Sequence, residues 1–377
     1  MNTARRQAGH GGRYALLDEM RGIAALAVCL FHIGTRAGGV QLFPNGYLAV
    51  DFFFMLSGFV LAEAYEARLG GAGHAATGAM DWGGFARRRM VRMAPVAVLG
   101  AGVGGLYLVA RCLAAPDRSD PLDQVLLGNA LNLLVLPKLW HGVATGWELF
   151  PANGPLWSLF FEILANLAWA AFLVRRSTAI LALGVAISGA LLVLCAMRHG
   201  TLDLGWQASS LDGGLARVCF GFGCGLLLHR LRASLPSMVA LAAPVAALAL
   251  VYAMALPVQR LPWTLFLAMV FLPCVLVVAV AAGRHRAVPG GAWLGRVSYP
   301  LYGIHVPLLA IASGAAKRAM HGAPLGAWGL LLVPPLLLAA WLVLTRLDEP
   351  CRAALGRWFD RMALARAARQ PAAMRHG

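Results

Sequence analysis

Of 377 residues, 60% are hydrophobic and only 13% are charged, and the mean hydropathy is +0.70. No single water-solvated core of this length requires such an apolar excess, which excludes an ordinary soluble domain and points to lipid as the solvent. A formal net charge of +16 would raise the question of nucleic acid in a soluble protein, but here the basic residues alternate by loop, so nucleic acid is disfavoured and membrane lipids are the expected contacts.

In chain order, a polar basic tail over residues 1–16 precedes an apolar run at 17–34 that carries Arg21 and His32. It follows an Arg-containing stretch and has no small-residue cleavage site behind it, so it reads as a retained span and not as a signal peptide. Further runs of spanning length fall at 47–66, 94–114, 155–174, 178–197, 211–229, 238–256, 262–282, 298–316 and 326–346. Each is near the roughly 17 to 25 residues that cross a hydrocarbon core of about 30 Å. The expectation is an all-α integral membrane protein of about ten transmembrane helices forming one membrane domain over 17–352, with a basic tail at 353–377 frayed or lying on the membrane surface.

The linking segments fix the orientation. With both termini cytosolic, 23 Lys and Arg fall on the inner side and 8 on the outer, in line with the positive-inside rule. A Gly-rich stretch, Gly70 to Gly84, leads into the basic segment from Phe85 to Pro95 on the inner side. On the outer side, residues 115–154 hold an apolar stretch, Val125 to Leu136, that is too short to span and is expected as an interfacial or re-entrant lid. The prevalence of Arg over Lys, with abundant Ala and Gly, fits a bacterial chain and hence the inner (cytoplasmic) membrane. The seven cysteines show neither CxxC nor Cys/His ligand spacing and read as small apolar packing residues; no metal is expected.

Ionisable groups within lipid cost about 2.5–3.5 kcal/mol on insertion scales, so each is a functional candidate. His32 follows Arg21 by eleven residues, which puts both on one helix face about 16 Å apart. A guanidinium at the inner mouth suits a phosphate, and an imidazole at mid-depth suits a general base; alternatively, Arg21 is a snorkelling anchor and His32 bonds a neighbouring helix. Arg89 and Arg92, three residues apart, share one helical side on the same membrane face as Arg21, either as phosphate ligands or as plain topology anchors. Glu162 lies near the outer end of the fourth span, where it could orient His32, bind a sugar hydroxyl or serve a buried donor. Ser298 and His305, seven apart, again share a face, for donor contact, proton transfer or a structural hydrogen bond. Asp51 and Ser57 support the first helix, whereas Arg217, Asp212 and His229 match no motif.

These residues fall within a recognisable series. Arg21 and His32, Gly46-Tyr-Leu-Ala-Val-Asp-Phe-Phe-Phe-Met-Leu-Ser-Gly-Phe59, Phe85 with Arg89, Arg92 and Pro95, Trp157-Ser-Leu-Phe-Phe-Glu162, Ser298-Tyr-Pro-Leu-Tyr-Gly-Ile-His305 and Asp348-Glu-Pro350 together resemble membrane-bound acyltransferase family 3. The resemblance implies a ten-helix enzyme that moves an acyl group, commonly acetyl, from cytosolic acyl-CoA to a carbohydrate or lipid-linked sugar acceptor, in many bacterial members alongside polysaccharide-biosynthesis machinery. It makes His32, Arg21 and Glu162 the catalytic candidates and Arg89, Arg92, Ser298 and His305 the donor-binding candidates. Two departures stand out: the usual Glu-Glu-Gln-Phe-Tyr run is reduced to Glu162-Ile-Leu-Ala-Asn, and no hydrolase-like domain follows the membrane part. The rival readings are a transporter or flippase of lipid-linked saccharide and a non-catalytic membrane sensor.

Overall fold

The computed structural model describes residues 14–70, 79–236, 238, 241–283, 289–319, 321 and 323–369. Most of the N-terminal tail, the middle of the Gly-rich stretch, Arg284 and Arg286, and residues 370–377 lie outside the described residues. The described chain is helical, with no named strand among the described residues and three isolated bridges between loops.

Twelve helices follow one another among the described residues. They are α1 Ala15–Ala37, α2 Ala49–Leu69, α3 Trp82–Ala114, α4 Leu122–Leu133, α5 Leu156–Leu173, α6 Thr178–His199, α7 Leu211–Leu231, α8 Ala242–Ala255, α9 Leu261–Ala281, α10 Gly291–Ala319, α11 Val333–Val343 and α12 Glu349–Arg369. Seven helical stretches are long and apolar enough to cross a membrane. Helices also stand at the other three positions where spans were expected, α1, α8 and α10. The first and last carry charged residues, and α8 has only 14 residues, about 21 Å of rise. Pro257, two residues past its end, restricts the residue before it and stops the helix within a residue of the expected limit, so the shortening lies at its start.

Helix extends beyond two of the apolar runs. The side chain of Asp81 accepts the N–H of Gly84 at 2.9 Å and caps α3, so the basic segment with Arg89 and Arg92 is a helical extension of the apolar run that follows it. The presumed C-terminal tail is likewise helical to Arg369. Its Pro350 falls in the first turn, where proline is tolerated, and the rest is rich in Ala, Leu and Arg. A π-helical turn, Leu344–Asp348, joins α11 to α12.

Small residues set the closest helix approaches, as expected where lipid supplies no hydrophobic driving force between helices. The most extensive contact is α1 with α10, where Gly22 lies against the backbone of Leu294 and Gly295, and Gly295 against the carbonyl of Asp18. The next joins α2 to α7. A Cβ on Gly225 would stand 1.9 Å from the carbonyl oxygen of Met55, and one on Gly58 would stand 2.1 Å from that of Phe222. Gly225→Ala is therefore expected to destabilise the bundle by about 1–3 kcal/mol, the cost of overpacking. Thermal unfolding in detergent would read this, with Gly356→Ala, which meets open space within α12, not lowering the midpoint.

Over the His32 end of the bundle lies the 115–155 segment. Helix α4, at 12 residues, is too short to span and exposes Leu126, Leu127 and Leu133, an apolar edge suited to an interface. Asn132 pins the segment by accepting the N–H of Ala152 and donating to the carbonyls of Leu136 and Leu149. Asp120 accepts from Ala144 N–H at 2.6 Å and from Thr145 Oγ1 at 2.5 Å. Although burial works against its charge, these bonds and Lys138 hold the Asp120 carboxyl below its ordinary range.

Candidate active site

The α1–α10 contact brings together the residues singled out in the first and penultimate spans. Arg21 lies on the flank of α1 that faces α10. Its Nε donates to Ser298 Oγ at 3.1 Å, its second terminal nitrogen to the carbonyl of Gly295 at 3.1 Å, and the same nitrogen reaches Asp18 at 2.9 Å. Three partners leave the guanidinium little rotational freedom.

Beside it opens a cavity of about 520 Å³ lined by Asp18, Arg21, Arg89, Arg92, Glu162 and Ser298 among apolar and aromatic side chains. Arg89 is nearly buried and pairs with Glu162 at 3.1 Å, while Ser57 donates to the same carboxylate oxygen at 2.7 Å. Glu162 thus lies with the basic cluster and not beside His32, because the register of α5 turns it toward α2 and α3. With Arg89 tied to Glu162, Arg92 is the more exposed guanidinium on this cavity. Three cations against two carboxylates favour an anionic guest.

His32 faces a second cavity, of about 300 Å³, toward the other end of the bundle. Its lining includes Arg36, Tyr47, Glu148, Trp157, Asp203 and Trp206. Burial pushes the carboxyls of Glu148 and Asp203 above their ordinary range, partly offset by Arg36 and Lys138 at Glu148 and by Arg217 at Asp203. Together with two indole faces, this is a polar and aromatic recess of the kind that binds small hydroxylated ligands.

Instead of the single tunnel that one helix face implies, two recesses approach each other from opposite ends. Arg21 lines the first and His32 the second, because eleven residues of rise separate them. His305 is fully buried and lines neither; it lies 2.9 Å from His32, Nε2 to Nδ1. Its own Nδ1 is within reach of the carbonyls of Leu301 and Tyr302, at 3.0 and 2.9 Å, which can only accept. In the neutral pair, His305 therefore carries its proton on Nδ1 and accepts at Nε2, and His32 donates from Nδ1. That tautomer, assigned from the network, leaves His32 Nε2 with a free lone pair.

Arg217 and Asn153 carried no assigned role in the sequence. Asp51 and Arg217 form a buried bidentate pair, Nε to Oδ1 at 3.0 Å and a terminal nitrogen to Oδ2 at 2.7 Å. Arg217 also donates to the carbonyls of Leu204 and Tyr47 and so ties the wall of the second cavity together. Asp51 thus serves α7 and not the first helix. Asn153 donates to the carbonyl of Gly303 at 2.7 Å, fastening the 115–155 segment to α10. The unpaired cost of Arg217 within an apolar run was the one signal for the first pair; Asn153 gave none.

A helical bundle with spanning helices, a cationic recess and a separate recess presenting a histidine lone pair has the layout of a membrane-embedded group-transfer enzyme. The chain belongs to the acyltransferase family whose model, described as an acyltransferase domain, matches residues 14–345. It is similar to Protein 2 in picA locus of Rhizobium radiobacter, 33% identical over 49% of this chain and 95% of that protein. It is also similar to BcsY of Komagataeibacter xylinus, named as a membrane-bound transacylase, 28% identical over 89% of this chain and 84% of that protein. No solved structure matches. Family and spanning helices together make this a multi-pass membrane acyltransferase.

Proposed function

We propose that the chain transfers an acyl group, acetyl in the simplest case, from cytosolic acyl-CoA to a hydroxyl of a carbohydrate or glycoconjugate on the opposite side of a bacterial inner membrane. In this reading the chain crosses the membrane ten times with both termini inside, as its charge distribution favours. The observation that carries it is the pairing of a cation-rich recess at the basic end with a recess presenting His32 at the other. CoA is polyanionic, and Arg21, Arg89 and Arg92 offer it charge-assisted bonds; Ser298 acts by holding Arg21.

His32 Nε2 takes the proton from the acceptor hydroxyl as its oxygen attacks the thioester carbon. The carbon–sulfur bond then breaks, and the leaving thiolate recovers the proton. His305 is a positioning residue that fixes the tautomer of His32, and Glu162 holds Arg89. Glu148, Asp203 and the two indoles supply hydrogen bonds and stacking faces for a sugar.

The test is cellular. Cells expressing the protein should carry ester groups on surface glycans, read by NMR, that cells lacking it do not. Saccharide flux without consumption of acyl-CoA would instead identify a transporter. With purified protein, Arg92→Ala is expected to raise KM for acyl-CoA by about tenfold with little change in kcat, since a hydrogen bond to a charged group contributes about 1.5–3 kcal/mol. CoA lacking its 3′-phosphate should narrow that difference if Arg92 meets this group.

A further inference from the structure

Among the described residues, Tyr302 is the only one that lines both cavities. Its phenol oxygen lies 2.6 Å from Ser158 Oγ, and Ser158 Oγ donates in turn to the carbonyl of Pro155 at 3.1 Å. Ser158 faces the first cavity and Pro155 the second. The ring stands edge-on to Phe53 of the first cavity, with centroids 5.5 Å apart and planes at 85°. The next residue, Gly303, is fastened by Asn153 through its carbonyl. A half-buried aromatic ring held at its hydroxyl, against a neighbouring ring and at its backbone is a wall.

We propose that Tyr302, latched to Ser158, is the partition between the two cavities. It admits the acyl group toward His32 while keeping water of the second cavity off the thioester. This rests on the acyl-transfer reading above. A free passage would expose the thioester to water in reach of the same base that activates the acceptor, so the enzyme needs an obstacle that a thioester end can pass and a water column cannot. If the ring is removed, water takes the acceptor's place: His32 Nε2 takes one proton, the oxygen bonds the acyl carbon, the carbon–sulfur bond breaks, and the thiolate recovers the proton. The products are free CoA thiol and a carboxylic acid.

The experiment uses the full-length protein in lipid nanodiscs with acetyl-CoA and no acceptor, following thiol release. Tyr302→Ala is expected to release thiol roughly tenfold faster than wild type or more, and the added His32→Ala should abolish that release. Tyr302→Phe, which keeps the ring and loses the latch, should fall between them. Binding of a non-hydrolysable acetyl-CoA analogue is measured in parallel. Retained binding with thiol release equal to wild type in Tyr302→Ala overturns the partition. No binding by wild type overturns instead the reading of the first cavity. Should Tyr302→Ala alone lose binding, Tyr302→Leu, closer in volume, is scored by the same criterion.

Discussion

Replacing His32 with alanine is expected to slow acyl transfer by about 10²–10⁴-fold, the usual contribution of a positioned general base, with binding of acyl-CoA unchanged. The expectation follows from the proton inventory at the His32–His305 contact. Because His305 spends its Nδ1 proton on backbone carbonyls and accepts from His32, His32 Nε2 is the nitrogen of the pair left to accept, and His32 lines the second cavity with the polar groups suited to a hydroxylated acceptor. His305→Phe keeps the bulk and removes one acceptor that holds the tautomer of His32. It is expected to lower kcat by roughly tenfold or more, with KM for acyl-CoA fixed. Single-turnover thiol release with acceptor present, at matched folded protein, measures both, and a rate equal to wild type in His32→Ala would remove the base from the mechanism.

The second large effect is on stability. Arg217 has no exposed side-chain surface and Asp51 almost none, so Arg217→Met or Asp51→Leu alone leaves one buried charge without its counterpart and is expected to destabilise the fold by about 3–5 kcal/mol. The double variant should recover most of that loss, because two apolar side chains of similar volume replace a pair whose attraction mainly offsets its own desolvation. Unfolding midpoints of the four proteins in one detergent give the coupling directly, and additive losses would show that the two residues act separately. Recovery of stability need not restore activity, since Arg217 also holds the carbonyls of Tyr47 and Leu204 at the second cavity.

Relations within one helix were legible in the sequence. The rise and periodicity that join Arg21 to His32, and Ser298 to His305, depend only on spacing, and hydropathy located every long apolar helix. Relations between helices were not, because no spacing states which helices become neighbours. Glu162 could be placed near the outer end of its span, yet its partners, Arg89 and Ser57, come from two other helices. The pairing of Asp51 with Arg217 and the anchoring of Gly303 by Asn153 were hidden for the same reason. Element limits failed where local chemistry outranked hydropathy: Asp81 starts α3 early, and a helix-forming composition carries α12 through what looked like a tail. Tyr302 and Ser158 lay within quoted motifs, but a partition is a property of the space between helices.

The glycine contact between α1 and α10 bears on how such an enzyme could change its donor. With Gly22 and Gly295 seated on opposing backbone, these two helices cannot slide or spread without leaving a void, so Arg21 and His32 keep their α10 partners, Ser298 and His305, and the helical rise between them behaves as a ruler of fixed length. A longer or branched acyl chain would have to be accommodated sideways, where Phe53 and its neighbours shape the neck. Variants selected for a bulkier donor should therefore accumulate substitutions at the neck and leave both glycines untouched.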